Sequence, residues 1–357
     1  MPNQEPTLRI LVVRLGAMGD ILHALPAVTA LRAALPESHI GWVVKPQWSA
    51  LLRAESSDAS TRCAQMPLVD RLHFAPVEVW GRAPLAPTTL RQVAALRREL
   101  RAERYDICLD LQGAVRSALL GTLSGAPRKI GEAAPRESIA RWFFNEKIST
   151  QGQHVIEQSR EVAEAVLHQP LPHTPALLPQ DAQAEEWCEG WLRERGIERF
   201  VLMNPGAGWG AKCWPAERYG QVAAELARMG YATILNAGPR EQALAQRAQA
   251  ASQGSATILT CTLGQLIACT RRAQVFLGGD TGPLHLAAAL ARPVVGIYGP
   301  TDPERNGPFA TRARVLRHPD SRRDHARHKH PEAGLLTIRV DAVVQAMQEL
   351  LQQETEA

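Results

Sequence analysis

Three glycine-containing turns hold the residues whose types and spacing are suited to chemistry. The first reads Arg14-Leu-Gly-Ala-Met-Gly-Asp20 and comes directly after an apolar run of buried-strand type. In open α/β sheets, ligands bind at the carboxyl ends of the strands, where this turn would lie. The middle glycine of a dinucleotide-binding motif is absent, and a carboxylate at the helix start would repel a cofactor phosphate. Asp20 is therefore either a functional carboxylate or only the N-cap of the helix.

The second turn lies within residues 278–291 and also follows a predicted strand. Thr281 and Gly282 precede a proline that suits the first position of a helix, so the free backbone N–H groups of this helix start predict a diphosphate site. Asp280, at the mouth of the turn, is placed to bind sugar hydroxyls, unless Asp280 and Thr281 only cap the helix. His285, just inside the helix, is either a ligand contact or a core histidine with satisfied hydrogen bonds.

The third turn, residues 204–219, has Lys212 as its only cation before the next predicted helix. Its three glycines predict a mobile loop. A lysine in such a loop suits a phosphate better than a salt bridge in a packed core. Trp214 and Pro215 would tether this lysine beside an interdomain cleft. The alternative is an ordinary solvated lysine.

The stretch from Arg317 to His330 is rich in arginine and histidine. His325, His328 and His330 are spaced as metal ligands sometimes are, but no cysteine or carboxylate pattern accompanies them, so a solvated loop is favoured. Its basic residues are alternatively suited to anionic lipid headgroups. The chain has no Asp-x-Asp motif, and we expect neither a metal ion nor another cofactor.

Strands alternating with helices must position these turns, and the alternation occurs twice. Each apolar run ends at loop residues and is followed by a helical pattern, which predicts parallel sheets covered on both faces. Four prolines between residues 170 and 179 interrupt the pattern. We therefore predict an N-terminal domain over 1–170, a C-terminal domain over 171–338, and a last helix within 339–357 whose packing partner the sequence does not indicate. The predicted strands span 8–13, 39–44, 105–111, 200–204, 232–236, 257–260, 275–277 and 293–298, and the predicted helices span 21–35, 181–195, 215–229, 239–252 and 339–353.

Composition excludes several classes of protein. The 357 residues are 45% apolar and 21% charged, as in a globular enzyme of about two domains. Lys plus Arg exceed Asp plus Glu by only 40 to 36, so nucleic acid is not an expected partner. The six cysteines form no disulfide-like pattern, and the sequence shows neither a signal peptide nor a membrane span. We therefore expect a cytoplasmic protein, which is compatible with peripheral contact with a membrane surface.

The three turns together resemble a known family. Residues 19–27, 212–219, 279–290 and 298–303 read Gly-Asp-Ile-Leu-His-Ala-Leu-Pro-Ala, Lys-Cys-Trp-Pro-Ala-Glu-Arg-Tyr, Gly-Asp-Thr-Gly-Pro-Leu-His-Leu-Ala-Ala-Ala-Leu and Tyr-Gly-Pro-Thr-Asp-Pro. In this order they resemble the ADP-heptose:lipopolysaccharide heptosyltransferases, which are inverting glycosyltransferases of the GT-B fold, with two Rossmann-like domains facing each other across a cleft. Residues 41–44 and 135–145 are most similar to members that add the first heptose to the 3-deoxy-D-manno-octulosonic acid (Kdo) of the inner core.

The resemblance implies roles for individual residues. Asp20 matches the catalytic base, and Lys212 and Asp280 match the donor-binding lysine and aspartate. Arg136 corresponds to a family arginine in the acceptor half, with Arg82, Arg116, Lys129 and Arg141 as weaker candidates. The implied partners are an ADP-heptose donor, bound also by Thr281, Gly282 and His285, and a Kdo-lipid A acceptor.

Three other functions compete with this one. A nicotinamide-dependent oxidoreductase or epimerase would need the missing glycine and an acid at the end of the second strand, where Val43-Val44-Lys45 stands instead. A two-domain sugar-binding protein of periplasmic type would need an export signal. A transferase of the same fold that uses another nucleotide sugar, or a later heptose acceptor, is not distinguished by the sequence.

Overall fold

The computed structural model describes residues 7–324 and 328–355, which form two compact units that meet in sequence between Asp181 and Ala182. Each unit contains a parallel six-stranded sheet with helices between the strands. The predicted α/β class is therefore confirmed. All six cysteines carry free thiols.

The N-terminal unit has the strand order β3-β2-β1-β4-β5-β6. Apart from the ends of the strands, β1, β2 and β4 are almost completely buried, because helices cover both faces of a parallel sheet. The strands are β1 (Arg9–Val13), β2 (His39–Val44), β3 (Arg71–Phe74), β4 (Ile107–Asp110), β5 (Arg128–Glu132) and β6 (Glu146–Ile148). The helices are α1 (Met18–Ala34), α2 (Val77–Arg82), α3 (Pro87–Ala102), α4 (Val115–Leu123) and α5 (Val155–Glu164), with 3-10 turns at Pro46–Leu51 and Ser138–Phe143.

The C-terminal unit repeats this topology in the order β12-β11-β10-β7-β8-β9. Its strands are β7 (Phe200–Asn204), β8 (Ala232–Asn236), β9 (Ala256–Leu259), β10 (Val275–Gly279), β11 (Val294–Tyr298) and β12 (Ala313–Arg317). Its helices are α6 (Ala182–Arg193), α7 (Ala216–Arg228), α8 (Gln242–Ala251), α9 (Leu263–Arg272), α10 (Gly282–Ala289), α11 (Pro303–Asn306), α12 (Ala333–Thr337) and α13 (Val340–Thr355), with a 3-10 turn at Gly210–Lys212.

Strand order determines where ligands can bind. In both sheets the order reverses beside the first strand, between β1 and β4 and between β7 and β10. Such a topological switch point is the usual ligand position in doubly wound sheets, because the loops on either side diverge and leave a crevice. The turn with Asp20 follows β1, and the turns with Lys212 and Asp280 follow β7 and β10. All three predicted turns therefore lie at switch points.

The proline-rich segment packs on the N-terminal unit, although the sequence predicted the domain boundary at residue 170. The Leu177 N–H donates to Thr29 Oγ1 at 3.2 Å, and the Gln180 N–H donates to the Ala64 carbonyl at 3.1 Å. Asp181 accepts a hydrogen bond from the Ser56 hydroxyl at 2.6 Å. The compact unit accordingly extends through Asp181.

The last helix, α13, belongs to the C-terminal unit. Val343, Met347 and Leu350 are completely buried in one apolar cluster with Trp214 and Leu226. The packing partner that the sequence left open is therefore the face of the sheet covered by α7. In the part of the chain that the structure describes, no helix is both long and apolar enough to cross a bilayer.

Candidate active site

Asp20 lies in the first turn of α1, three residues after the N-cap Ala17. The prediction that Asp20 could be the N-cap is wrong, because the helix begins at Met18 rather than at residue 21. Gly16, with φ of +100°, makes the turn between β1 and the helix. Asp20 Oδ2 accepts a hydrogen bond from the Ala17 N–H at 3.0 Å, the carboxylate half of a capping box. About a third of the side chain, 35%, stays exposed, so the carboxylate is accessible to a substrate.

Arg14 holds the Asp20 carboxylate from the opposite side. Its Nη2 lies 3.3 Å from Asp20 Oδ1, and its Nε donates to the Asp20 carbonyl at 2.9 Å. The same guanidinium donates through Nη1 to the carbonyl of Leu111, just after β4. The indole N–H of Trp42 donates to the Arg14 carbonyl at 3.0 Å. Arg14 therefore ties the Asp20 turn to both neighbouring strands and fixes the carboxylate orientation.

Asp110, at the end of β4, is a residue of this site that the sequence analysis missed. Its Oδ1 accepts hydrogen bonds from the N–H groups of Gln112 and Gly113, both at 2.8 Å. Burial raises the pKa of Asp110, and the donated hydrogen bonds only partly oppose that effect. Among the described residues, its Oδ2 has no hydrogen-bond partner. The available signal was an acid at the next-to-last position of the predicted strand 105–111, with Gln112-Gly113 directly after that strand.

Arg136 is exposed and lies between β5 and the 3-10 turn Ser138–Phe143. The Asp110 turn supports its segment, because the Glu137 N–H donates to the Gly113 carbonyl at 2.9 Å. Of the weaker acceptor candidates, Lys129 is half-buried, and three are exposed: Arg82, Arg116 and Arg141. The N-terminal unit thus presents a held carboxylate and several solvent-facing cations.

In the C-terminal unit, Lys212, Asp280 and His285 form one buried polar cluster. The Lys212 ammonium pairs with Asp280 Oδ2, and His285 Nε2 lies 3.0 Å from Asp280 Oδ1. Lys212 Nζ also lies 4.2 Å from the ring centre of Trp209, a cation–π contact. Lys212 thus makes a salt bridge, which the sequence analysis did not favour, and its binding of a phosphate stays a prediction. His285 is 6% exposed, which fits a buried histidine with a hydrogen-bond partner.

The cluster keeps Asp280 ionised. Burial alone would raise the pKa of Asp280, but the hydrogen bond from His285 and the charge of Lys212 outweigh it and hold the pKa well below its usual range. The lysine and the aspartate therefore form a charged pair at neutral pH. Lys212 is fixed beside the start of α10 while 11% of its side chain stays exposed.

Helix α10 starts one residue earlier than the sequence predicted, so the proline occupies its second position rather than its first. Thr281 is the N-cap, Gly282 is the first helical residue and a proline follows. The Thr281 hydroxyl donates to the Gly279 carbonyl at 3.2 Å and makes no hydrogen bond to the first helical turn, so capping does not account for this side chain. Thr281 and Gly282 are both partly exposed. The first N–H groups of α10 and the Lys212 ammonium thus lie together at one switch point.

Part of the Arg- and His-rich segment packs on the Lys212 turn. The Ala211 N–H donates to the His328 carbonyl at 3.1 Å, and a side chain at Gly210 would collide with the Lys329 carbonyl. His328 Nε2 lies 2.8 Å from an Asp324 carboxylate oxygen, so a nearby carboxylate exists, contrary to the expectation. His325 lies outside the described residues, and among those described no group of three or more potential ligands could hold a metal ion.

Two doubly wound units, each with its candidate residues at a switch point, are the architecture of glycosyltransferases of the GT-B fold. The sequence profile of glycosyltransferase family 9 (heptosyltransferase) matches residues 93–335. The chain belongs to this family, as the resemblance predicted.

Individual relatives agree with the family assignment. Lipopolysaccharide heptosyltransferase 1 of Escherichia coli K12 is 30% identical over 87% of this chain and 94% of its own length. The enzyme of that name from Pseudomonas aeruginosa PAO1 is 26% identical over 85% of this chain and 81% of its own. The structure of E. coli heptosyltransferase WaaC with ADP-2-deoxy-2-fluoro heptose superposes with a TM-score of 0.75, at 27% identity over 96% of this chain and 99% of that one.

Proposed function

We propose that the chain transfers heptose from ADP-L-glycero-β-D-manno-heptose to the Kdo residue of the lipopolysaccharide inner core, with inversion at the anomeric carbon. The observation that carries the proposal is the charged cluster at the start of α10, where Lys212 is held by Asp280 in a family whose solved member binds an ADP-heptose analogue. An acceptor within lipopolysaccharide is supported by the name of two relatives, lipopolysaccharide heptosyltransferase 1, and the Kdo residue on lipid A is our proposal for that acceptor.

In the C-terminal unit, the donor diphosphate would bind the Lys212 ammonium and the first N–H groups of α10, at Thr281 and Gly282. An ammonium and a helix N-terminus both favour negative charge, and the charge on the diphosphate grows as the glycosidic C–O bond breaks. Asp280 would keep Lys212 in place and accept hydrogen bonds from sugar hydroxyls. His285 would act on the donor through Asp280, because its ring nitrogen bonds to that carboxylate.

In the N-terminal unit, Asp20 would take the proton of the attacking Kdo hydroxyl. The hydroxyl oxygen forms the new bond to the anomeric carbon, the bond to the diphosphate breaks, and ADP leaves with the electron pair. Arg14 and the Ala17 N–H hold the carboxylate in one orientation, as general base catalysis requires. Arg136, exposed and without an ion pair among the described residues, would bind the carboxylate of the sugar acid in a bidentate fashion.

The reaction would need no metal ion, since Lys212 and the start of α10 supply the positive charge. We infer that the enzyme works at the cytoplasmic face of the inner membrane, because its acceptor is lipid-linked there.

The test is a transfer assay with purified protein. ADP-heptose and Kdo-lipid A should give acceptor-dependent release of ADP, product of inverted anomeric configuration by NMR, and undiminished activity in EDTA. ADP-glucose and UDP-glucose in place of ADP-heptose, and a heptosylated acceptor in place of Kdo-lipid A, are the matched controls. Preference for another nucleotide sugar, or for the heptosylated acceptor, would contradict the proposed specificity. Loss of activity in EDTA that magnesium restores would contradict the metal-free mechanism.

A further inference from the structure

Three large apolar side chains are exposed on two neighbouring segments of the N-terminal unit. Trp142 is 71% exposed and Ile139 is 61% exposed, both on the 3-10 turn Ser138–Phe143. Leu119, on the neighbouring helix α4, is 48% exposed. Tryptophan is usually well buried, so an exposed tryptophan beside exposed aliphatic residues indicates an interaction surface. We call Leu119, Ile139 and Trp142 the apolar tip.

A packed base holds the apolar tip. Ala118 of α4 and Ala140 and Phe144 of the 3-10 segment are buried in one cluster, against which the partly buried Phe143 packs. Each exposed residue is thus next, or nearly next, in sequence to a residue anchored in this cluster. The buried neighbours hold the backbone of both segments in place, so the exposed side chains belong to ordered segments.

Cations surround the apolar tip. Arg141 Cζ lies 5.1 Å and Lys147 Nζ lies 5.7 Å from the ring centre of Trp142. Arg116, on α4, and Arg136, two residues before the 3-10 turn, are also exposed. Within the described part of the chain, none of these cations makes an ion pair.

The two carboxylates nearest in sequence to the apolar tip bind groups other than these four cations. Glu137 Oε2 accepts a hydrogen bond from the Val115 N–H at 2.9 Å. Glu146 binds the guanidinium of Arg128 through both oxygens, at 2.7 and 2.9 Å. Arg128 neutralises Glu146, and the single charge of Glu137 is exceeded by those of the four cations, so the net charge of this region is positive.

We propose that the apolar tip and its four cations dock on the surface of an anionic phospholipid bilayer. Tryptophan favours the membrane–water interface, where its ring lies at the headgroup level. Arginine and lysine beside it can reach anionic headgroups while the apolar side chains enter the boundary with the acyl chains. Three apolar side chains are too few for a stable protein interface, which buries about 800 Å² on each partner. Uncompensated positive charge matches an anionic lipid surface.

The proposal deepens the proposed function, on which the acceptor role of Arg136 rests, but vesicle binding itself needs neither donor nor acceptor. It also differs from the expectation that the stretch from Arg317 to His330 contacts lipid, because part of that stretch packs on the Lys212 turn of the other unit. Arg136, the proposed acceptor residue, lies within this surface, so docking would bring it to the level of lipid headgroups.

The experiment measures partition of the full chain onto vesicles by co-sedimentation, without donor or acceptor. Vesicles of phosphatidylglycerol with phosphatidylethanolamine are compared with vesicles of phosphatidylcholine alone. The wild type should bind the anionic vesicles, more weakly as salt is added, and bind phosphatidylcholine poorly. Trp142→Ala should lower the partition coefficient roughly tenfold or more. The double variant Arg141→Ala/Lys147→Ala should lower it about fivefold for each cation removed.

Matched controls are available in the same unit. Leu85→Ala removes an apolar side chain that is 84% exposed in the loop between α2 and α3, and Arg97→Ala/Arg98→Ala removes two exposed cations from α3. Both controls should bind like the wild type, and all variants should keep the wild-type melting temperature. Equal loss in the control and tip variants, equal binding to both vesicle types, or no binding at all would overturn the proposal. Self-association that Trp142→Ala abolishes, without vesicle binding, would assign the tip to a second copy of the chain instead.

Discussion

The ion pair between Lys212 and Asp280 gives the most direct quantitative prediction. The two side chains are 11% and 7% exposed, so the pair is nearly buried. Removing one partner of a buried pair costs about 3–5 kcal/mol, because the other charge is left uncompensated. In Lys212→Met, His285 still binds the other oxygen of the Asp280 carboxylate and some solvent reaches the site, so we expect a loss at or just below the lower end of that range, about 2–3 kcal/mol.

This loss should be visible in the melting of the C-terminal unit. In a domain of this size, 1 kcal/mol corresponds to about 2–4 °C, so Lys212→Met should lower the melting temperature by about 5–10 °C. Differential scanning calorimetry is suited to the measurement, since it separates the transitions of two units. Lys329→Met is the matched control, because that lysine is exposed on a segment beside the Lys212 turn and should melt like the wild type.

A double-mutant cycle tests whether the loss comes from the pair itself. Asp280→Asn should also destabilise the unit, and Lys212→Met/Asp280→Asn should cost about 1–2 kcal/mol less than the sum of the single variants, since neither charge is then left alone. Additive losses, or equal melting of Lys212→Met and Lys329→Met, would refute the inference that the buried pair fixes Lys212.

Three further predictions concern the N-terminal unit. Asp20→Asn should lower kcat by about 10²-fold or more, because an amide cannot act as a base. The loss of stability should be less than about 1 kcal/mol, because the amide oxygen still accepts a hydrogen bond from the Ala17 N–H. An unchanged kcat in steady-state assays would reduce Asp20 to a helix-capping residue. Arg136→Lys should raise KM for Kdo-lipid A and leave KM for ADP-heptose unchanged, because an ammonium cannot bind a carboxylate through two parallel bonds; a change in donor KM alone would move Arg136 to the donor site. The pKa of Asp110 is raised in the folded chain, so the contribution of this residue to stability is most favourable below the unfolded pKa of about 3.9 and is lost as pH rises towards the folded pKa. An amide side chain cannot ionise, so the free energy of unfolding of Asp110→Asn should rise relative to that of the wild type over this pH window, by about 1.4 kcal/mol per unit of pKa difference. Denaturant titrations at several pH values measure this difference. A difference that does not change with pH would contradict the raised pKa of Asp110.

The central strands and the positions of the three turns were predictable from local pattern. β2, β7 and β8 begin and end where the apolar runs predicted, because a strand covered on both faces must be apolar at nearly every position. The shorter or more polar strands β3, β5, β6 and β12 were missed. β5 and β6 read Arg-Lys-Ile-Gly-Glu and Glu-Lys-Ile, and their pairing comes from neighbours in the sheet rather than from their own residues.

The site was predicted as a set of residue types but not as a set of contacts. Lys212 and Asp280 were both selected, yet their ion pair was not foreseen, since the two residues follow different strands, β7 and β10. Asp110 was passed over because an aspartate at a strand end resembles any loop acid until its burial is known. The Trp142 surface was likewise invisible, since a tryptophan within an apolar-rich segment is ordinarily a core residue.

The sequence by itself therefore determined the alternation of strands and helices, the family motifs and the residues capable of chemistry, all of which depend on neighbours within a few positions along the chain. The tertiary structure decided which of those residues are charged partners, which are buried and which face solvent. Those properties arise from parallel pairing between strands that are far apart in sequence, such as β1 with β4 and β7 with β10, which brings their loops to one edge of a sheet. Burial then sets the energy of each charge there, because a carboxylate removed from water must either find a cation, as Asp280 does, or shift its pKa towards the neutral form, as Asp110 does.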